Sequence, residues 1–170
     1  MTLRPTTTAP ELDLPLVGGG RLRSGDLHPR SFTMLIFNRG LHCPICRAQL
    51  SEMNRRIGEL EALGVELFSI SAETEERARR MRDEWEIDRI PLAYGFSEAE
   101  MRTWGLFVSR GRTEGEPPIY NEPAIFLLRP DRTIYYEAIL SMPVGRPRLD
   151  DLLKGIRHWE KVDYQPRGAD

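Results

Sequence analysis

The chain has 170 residues, of which 40% are hydrophobic and 29% charged, and a net charge of −2. That balance suits one globular domain with a real core and excludes collagen, coiled-coil and disordered classes. It also lacks the basic excess of a nucleic-acid binder. The 22 arginines against two lysines, Lys154 and Lys161, read as composition bias. The arginine-rich run ERARRMRDEW (76–85) also holds three acids and reads as a solvated helix face. No apolar run approaches the ~18–20 residues that span a bilayer. The opening MTLRPTTTAPELD has no apolar segment of signal-peptide kind. A cytoplasmic protein, with neither membrane nor nucleic acid among its partners, is the expectation.

Residues 1–10 carry Thr and Pro without periodicity and are expected as a loose arm. ELDLPLVGGGRLRSGDL (11–27) alternates on either side of Gly18, Gly19 and Gly20, which predicts a short hairpin. SFTMLIF (31–37) is apolar without alternation and suits a strand buried on both faces. From Cys46 the apolar positions Leu50, Met53, Ile57 and Leu60 follow at spacings of 4, 3, 4 and 3, one stripe of a helix that Gly64 ends. VELFSIS (65–71) is the next buried strand. Ser71 is expected to cap a helix with Ala78, Met81 and Trp85 inward. PLAYG (91–95) opens with proline and reads as an edge strand. SEAE (97–100) reads as a capping box for a short helix carrying Met101 and Trp104.

Residues 105–122 are rich in Gly and Pro and long for a connection, so they are expected as a loop. Gating the reactive site or packing a dimer are its functional readings. AIFLL (124–128) and TIYYEAIL (133–140) flank Arg129-Pro130-Asp131-Arg132 and form an antiparallel hairpin. A last helix runs from Leu149 to Trp159. The domain is placed at 11–162 and a tail at 163–170. The order β–α–β–α, short helix, β–β–α predicts an α/β fold: a mixed central sheet with helices on both faces and an N-terminal β extension.

Both cysteines lie in NRGLHCPICRAQL (38–50), between a buried strand and a helix. Pro44 suits the first helical position, where its missing N–H costs nothing. Cys43 is then the N-cap, facing free backbone N–H groups and the positive end of the helix dipole. Both favour thiolate, and such placement lowers a thiol pKa from ~8.5 into the range ~3.5–7.5. Cys46 lies one turn on, within bonding reach, and opens the apolar stripe. That asymmetry fits Cys43 as attacker and Cys46 as the thiol that resolves a mixed disulfide or sulfenic acid. His42, Arg39 and Arg47 are the candidate cationic neighbours; a plain surface role is the competing reading for each. A zinc site needs about four ligands, and His28, His42 and His158 form no second ligand pair. An interchain metal site and two inert core cysteines remain as weaker readings, and no metal or cofactor is expected.

FNRGLHCPICRAQLSEM (37–53), VELFSIS (65–71) and NEPAIFLL (121–128) together resemble the thioredoxin-like superfamily, in its peroxiredoxin-like branch, the alkyl hydroperoxide reductase/thiol-specific antioxidant family. The likeness covers roughly residues 10–160. It implies a three-layer thioredoxin-like fold and a cis-proline facing the dithiol. Pro123, in Glu122-Pro123-Ala124, matches that place and makes Glu122 and Pro123 site-shaping candidates. The chain departs from the branch in one respect. Its members carry Pro-x-x-x-Thr/Ser-x-x-Cys, whereas counting back from Cys43 the threonine place is Gly40 and the proline place Ile36. The later arginine expected near Pro123 is also missing. A thiol–disulfide oxidoreductase is the leading expectation. A thiol peroxidase acting through a Cys43 sulfenic acid is the alternative, and a non-enzymatic redox sensor or interaction module the third. The expected partners are a disulfide protein or small peroxide, an electron-donor thiol, and a second copy of the chain in a homodimer.

Overall fold

The computed structural model describes residues 3–169. Its centre is a five-stranded mixed sheet in the order β5-β4-β3-β8-β9. The strands are β3 (Phe32–Phe37), β4 (Val65–Ile70), β5 (Leu92–Ala93), β8 (Ala124–Leu128) and β9 (Ile134–Ile139). β3 runs parallel to β4 and β4 to β5, while β8 is antiparallel to both β3 and β9. The absence of alternation in SFTMLIF now has its cause, since every residue of β3 is buried. Met34 and Ile36 face one core, and Leu35 and Phe37 face the other.

Helices α1 (Pro44–Arg55), α2 (Ile57–Ala62) and α5 (Leu149–Val162) cover the first face, joined by the end of α3 (Glu75–Glu84). The second face is covered by α4 (Glu98–Thr103) and by the hairpin of β1 (Asp13–Pro15) and β2 (Arg21–Arg23), through Leu14, Leu22, Met101 and Trp104. This is the expected three-layer arrangement with its N-terminal β extension.

Local details differ from expectation for identifiable reasons. The stripe from Cys46 to Leu60 is carried by two helices, not one, with a break at Arg56 (φ −107°, ψ 12°). Ile57 and Leu60 still face the core. Thr74, not Ser71, caps α3 by accepting the Arg77 N–H at 3.3 Å. Ser71, just past the end of β4, is held by backbone bonds: its N–H donates to the Ala93 carbonyl and its carbonyl accepts from Phe96. Ser97 and Glu100 form the expected capping box. Residues 105–122 are not a plain loop: β6 (Val108–Arg110) pairs antiparallel with β7 (Ile119–Asn121) as a ribbon. Its Gly and Pro residues fall mainly in the connection 111–118, which hid two three-residue strands.

Within the segment 1–10, Thr6 to Ala9 bond to the start of β9 and the turn before it: Thr6 and Ala9 donate to the Ile134 and Arg132 carbonyls, and Ile134 donates to Thr7. Residues 1 and 2 of that arm lie outside the described residues, as does residue 170 of the tail. Among the described residues no helix is long and apolar enough to cross a membrane.

Candidate active site

The site begins where β3 ends. Asn38 is fully buried and cannot continue an apolar strand without partners. Its Nδ2 donates to Ser69 Oγ (2.8 Å) and the Ile70 carbonyl (3.0 Å), and its Oδ1 accepts the Gly40 N–H at 3.0 Å. From the other side Asn121 Nδ2 donates to the Asn38 carbonyl at 3.2 Å. The turn leading to the cysteines is thus pinned to β4 on one side and to the end of β7 in the ribbon on the other.

Gly40 adopts φ +106°, a region that favours glycine. The space where its side chain would stand is filled by Glu73, which is 1% exposed. Glu73 Oε1 accepts the Leu41 N–H at 2.8 Å, and its carboxylate is paired with Arg77. Here, then, a glutamate carboxylate from the segment before α3 stands beside the place that a peroxidase motif gives to a threonine hydroxyl.

Cys43 is the N-cap of α1, and its Sγ accepts the Cys46 N–H at 3.3 Å, with Pro44 at the start of the helix. Both sulfurs are buried and free. The Cys43 pKa is lowered from 9.0 to about 6. The main cause is a hydrogen bond from the Cys46 thiol. Burial opposes it, and the Cys46 N–H and the charges of Arg146 and Arg39 add to the lowering. Cys46 is pushed the other way, well above an ordinary thiol, chiefly by burial. The resting pair is therefore a Cys43 thiolate accepting from a Cys46 thiol, the asymmetry that an attacking and a resolving sulfur require.

Arg146 is a site residue that sequence reasoning missed. Its Nη2 lies 3.1 Å from Cys46 Sγ and 3.8 Å from Cys43 Sγ. Its other nitrogens are anchored: Nη1 donates to Gln49 Oε1 (2.6 Å) and Nε to the Pro143 carbonyl (2.8 Å). No local pattern marks it, because it reaches the sulfurs from the connection between β9 and α5.

Of the expected neighbours, Arg39 is at the site. Its backbone N–H donates to Cys46 Sγ at 3.4 Å. Its guanidinium donates to Tyr120 Oη at 3.0 Å and lies 3.2 Å from the buried Glu122 carboxylate, at an angle that makes an ion pair rather than an aligned hydrogen bond. Glu122 also accepts from Ser109 Oγ at 2.7 Å. The His42 ring packs on Tyr120 at 4.9 Å. Burial and Arg39 lower the His42 pKa, so it stands as a neutral ring rather than a cation. Arg47 points away and donates to the Glu84 carbonyl at 3.1 Å. The cis bond expected at Pro123 is not there: every described peptide bond is trans. Pro123 is a buried strand-start proline, where its missing N–H removes no ladder bond and its carbonyl accepts from Leu140 at 3.0 Å.

The thiolate assignment has a direct kinetic signature. Iodoacetamide should label Cys43 at a rate that rises with pH and levels off above a midpoint near 6. Below that midpoint the thiol dominates, and the rate should fall about tenfold per pH unit. A midpoint near the unperturbed ~8.5 would refute the assignment.

The family model described as the AhpC/TSA family matches residues 5–137. No curated protein matches the sequence significantly. Among solved structures, peroxiredoxin 6 of Arenicola marina aligns with TM-score 0.77 at 16% identity, over 97% of this chain and 81% of that one. AhpC of Enterococcus faecalis aligns with TM-score 0.77 at 16% identity, over 95% of each chain. A reduced Prx3 of Vibrio vulnificus, solved in complex with hydrogen peroxide, aligns with TM-score 0.76 at 12% identity, over 91% of this chain and 99% of that one. At these identities the likeness shows the fold.

Proposed function

The chain belongs to the AhpC/TSA family, and on that premise we propose that this thiol-dependent oxidoreductase reduces peroxides, with Cys43 attacking and Cys46 resolving. The observation that carries the reading is the Cys43 thiolate at a helix start with one guanidinium nitrogen of Arg146 in reach of both sulfurs. The thiolate attacks one peroxide oxygen. An S–O bond forms, the O–O bond breaks, and the leaving alkoxide or hydroxide takes up a proton. Arg146, already paired with sulfur, is placed to stabilise that departing negative charge. Cys43 is now a sulfenic acid. The Cys46 sulfur attacks it, its proton leaves with the hydroxyl as water, and a Cys43–Cys46 disulfide remains. Two electrons from a donor dithiol, or from two small thiols, restore the pair by thiol–disulfide exchange.

A protein disulfide in place of the peroxide is the second reading, using the same pair in the same order. The 1% exposure of Cys43 favours the smaller oxidant. The peroxide bound to the Vibrio vulnificus neighbour supports the same class.

One equivalent of hydrogen peroxide should consume both thiols of the reduced protein. In Cys46→Ser the reaction should stop at a Cys43 sulfenic acid that dimedone captures. Thiols that survive peroxide yet exchange rapidly with a model disulfide would move the protein to the second reading.

A further inference from the structure

Beside the redox site lies a groove of about 630 Å³ between the β6–β7 ribbon and the segment after β9. Its inner end is built from Arg39 and Tyr120, and Arg39 also holds Cys46 Sγ. Its other wall ends at Pro143, whose carbonyl anchors Arg146. The groove therefore shares residues with the sulfur cage on both sides.

Its charges are unevenly satisfied. Glu122 is occupied by Arg39 and Ser109. Glu116 is occupied by the Arg112 and Thr113 N–H groups at 2.7 and 3.1 Å. Arg110 and Arg112 line the same groove, and neither guanidinium makes an ion pair or a hydrogen bond among the described residues. Beside them lie apolar groups, Val108, Pro143 and Met142, the last 59% exposed. Two unengaged guanidinium forks beside an apolar lining suit a carboxylate on an aliphatic chain.

We propose that this groove binds an aliphatic carboxylate substrate of the redox site, with its carboxylate on Arg110 and Arg112 and its chain along Val108, Met142 and Pro143. The inference rests on Cys43 and Cys46 being the reacting centre. The carboxylate belongs either to the oxidant, as an acid-bearing alkyl hydroperoxide, or to the reductant, as an acid-bearing thiol.

Calorimetric titration with octanoate and with methyl octanoate tests the groove without turnover. Octanoate should bind, the ester should bind at least tenfold more weakly, and Arg110→Gln/Arg112→Gln should erase the difference while the far-UV spectrum and melting curve are kept. Turnover then assigns the source. A carboxylated alkyl hydroperoxide is compared with its methyl ester, and mercaptopropionate with its methyl ester. The arm in which the acid is preferred, through KM rather than kcat and only with both arginines present, names the partner. Equal binding of octanoate and its ester, an acid preference that survives the double substitution, or no preference in either arm would overturn the proposal. If no peroxide oxidises Cys43, the peroxidase reading fails by itself, and octanoate binding and the thiol arm alone decide on the groove.

Discussion

Replacing Arg146 with methionine should slow peroxide oxidation of the reduced protein by about 10²–10³-fold, the loss typical of removing one preorganised donor to a developing oxyanion. Two effects combine in that figure, and pH separates them. Arg146 is one of the charges that lower the Cys43 pKa, so its removal raises that pKa from about 6. The Cys46 thiol and N–H still hold it below the ordinary thiol value, because the Cys46 hydrogen bond is the larger cause. This part of the loss should vanish once pH exceeds the new pKa and Cys43 is again fully ionised. The part that persists at high pH is the missing guanidinium at the breaking O–O bond. Methionine keeps length and leaves an apolar contact, so a packing defect alone would not follow the pH. Lysine is the informative companion: it restores a charge but not the fork that spans both sulfurs while bonding Gln49 and Pro143. Arg146→Lys should recover more of the pKa than of the plateau rate. Stopped-flow oxidation across pH 5–9, with Cys43 titrated in parallel, reads both. Rates and pKa unchanged in Arg146→Met would remove Arg146 from the mechanism.

The dithiol and its frame were legible in the sequence because their causes are local. The apolar run of β3 sorts its residues between two cores. Pro44 and Cys43 carry the signature of a helix start, and the stripe from Cys46 explains why Cys46 faces the core beneath α1. The parts that set the chemistry around the dithiol are not local. Arg146 lies 103 residues from Cys43 and Tyr120 lies 81 from Arg39, and neither neighbourhood shows a periodicity that would bring them together. Nothing in the sequence around Glu73, an acid just past a buried strand, singles it out; only the fold shows that it is 1% exposed and holds the Leu41 N–H. Arg39, His42 and Arg47 are all near Cys43 in sequence, yet the turn at Gly40 and the first helical turn send them to different places. Proximity in the chain was therefore a partial guide: of the three, Arg39 alone adds its charge at Cys43, while the guanidinium in reach of both sulfurs is that of Arg146. Pro123 shows the opposite error. The local reading, a strand-start proline, holds in the structure, and the cis geometry that came with the resemblance does not.

Gly40→Thr would restore the threonine of the peroxidase motif three residues before Cys43, and it should weaken the protein rather than improve it. The backbone at position 40 has φ +106°, which a β-branched residue adopts only under strain of about 1–3 kcal/mol. The new Cβ would also meet Glu73, with Cδ at 2.8 Å and Cγ at 2.9 Å and the carboxylate oxygen closer still. That carboxylate cannot swing freely, since it is buried and bonded to Leu41 and Arg77. Displacing it breaks a buried charge pair, a loss of about 3–5 kcal/mol when one partner is left uncompensated. The two costs together predict a loss of about 4 kcal/mol or more, a large share of the ~5–15 kcal/mol that holds a typical domain folded. Peroxide oxidation should slow as well, because the Leu41 N–H is part of the turn that delivers Cys43 to its N-cap position. Urea denaturation of the reduced protein measures the stability loss. A cycle with Glu73→Ala identifies its source: Gly40→Ala should cost markedly less once the carboxylate is gone, with a coupling above ~1 kcal/mol. Additive costs would mean that backbone strain alone reserves position 40 for glycine. A Gly40→Thr protein as stable as the parent, and faster with peroxide, would show that Glu73 does not occupy the threonine's place.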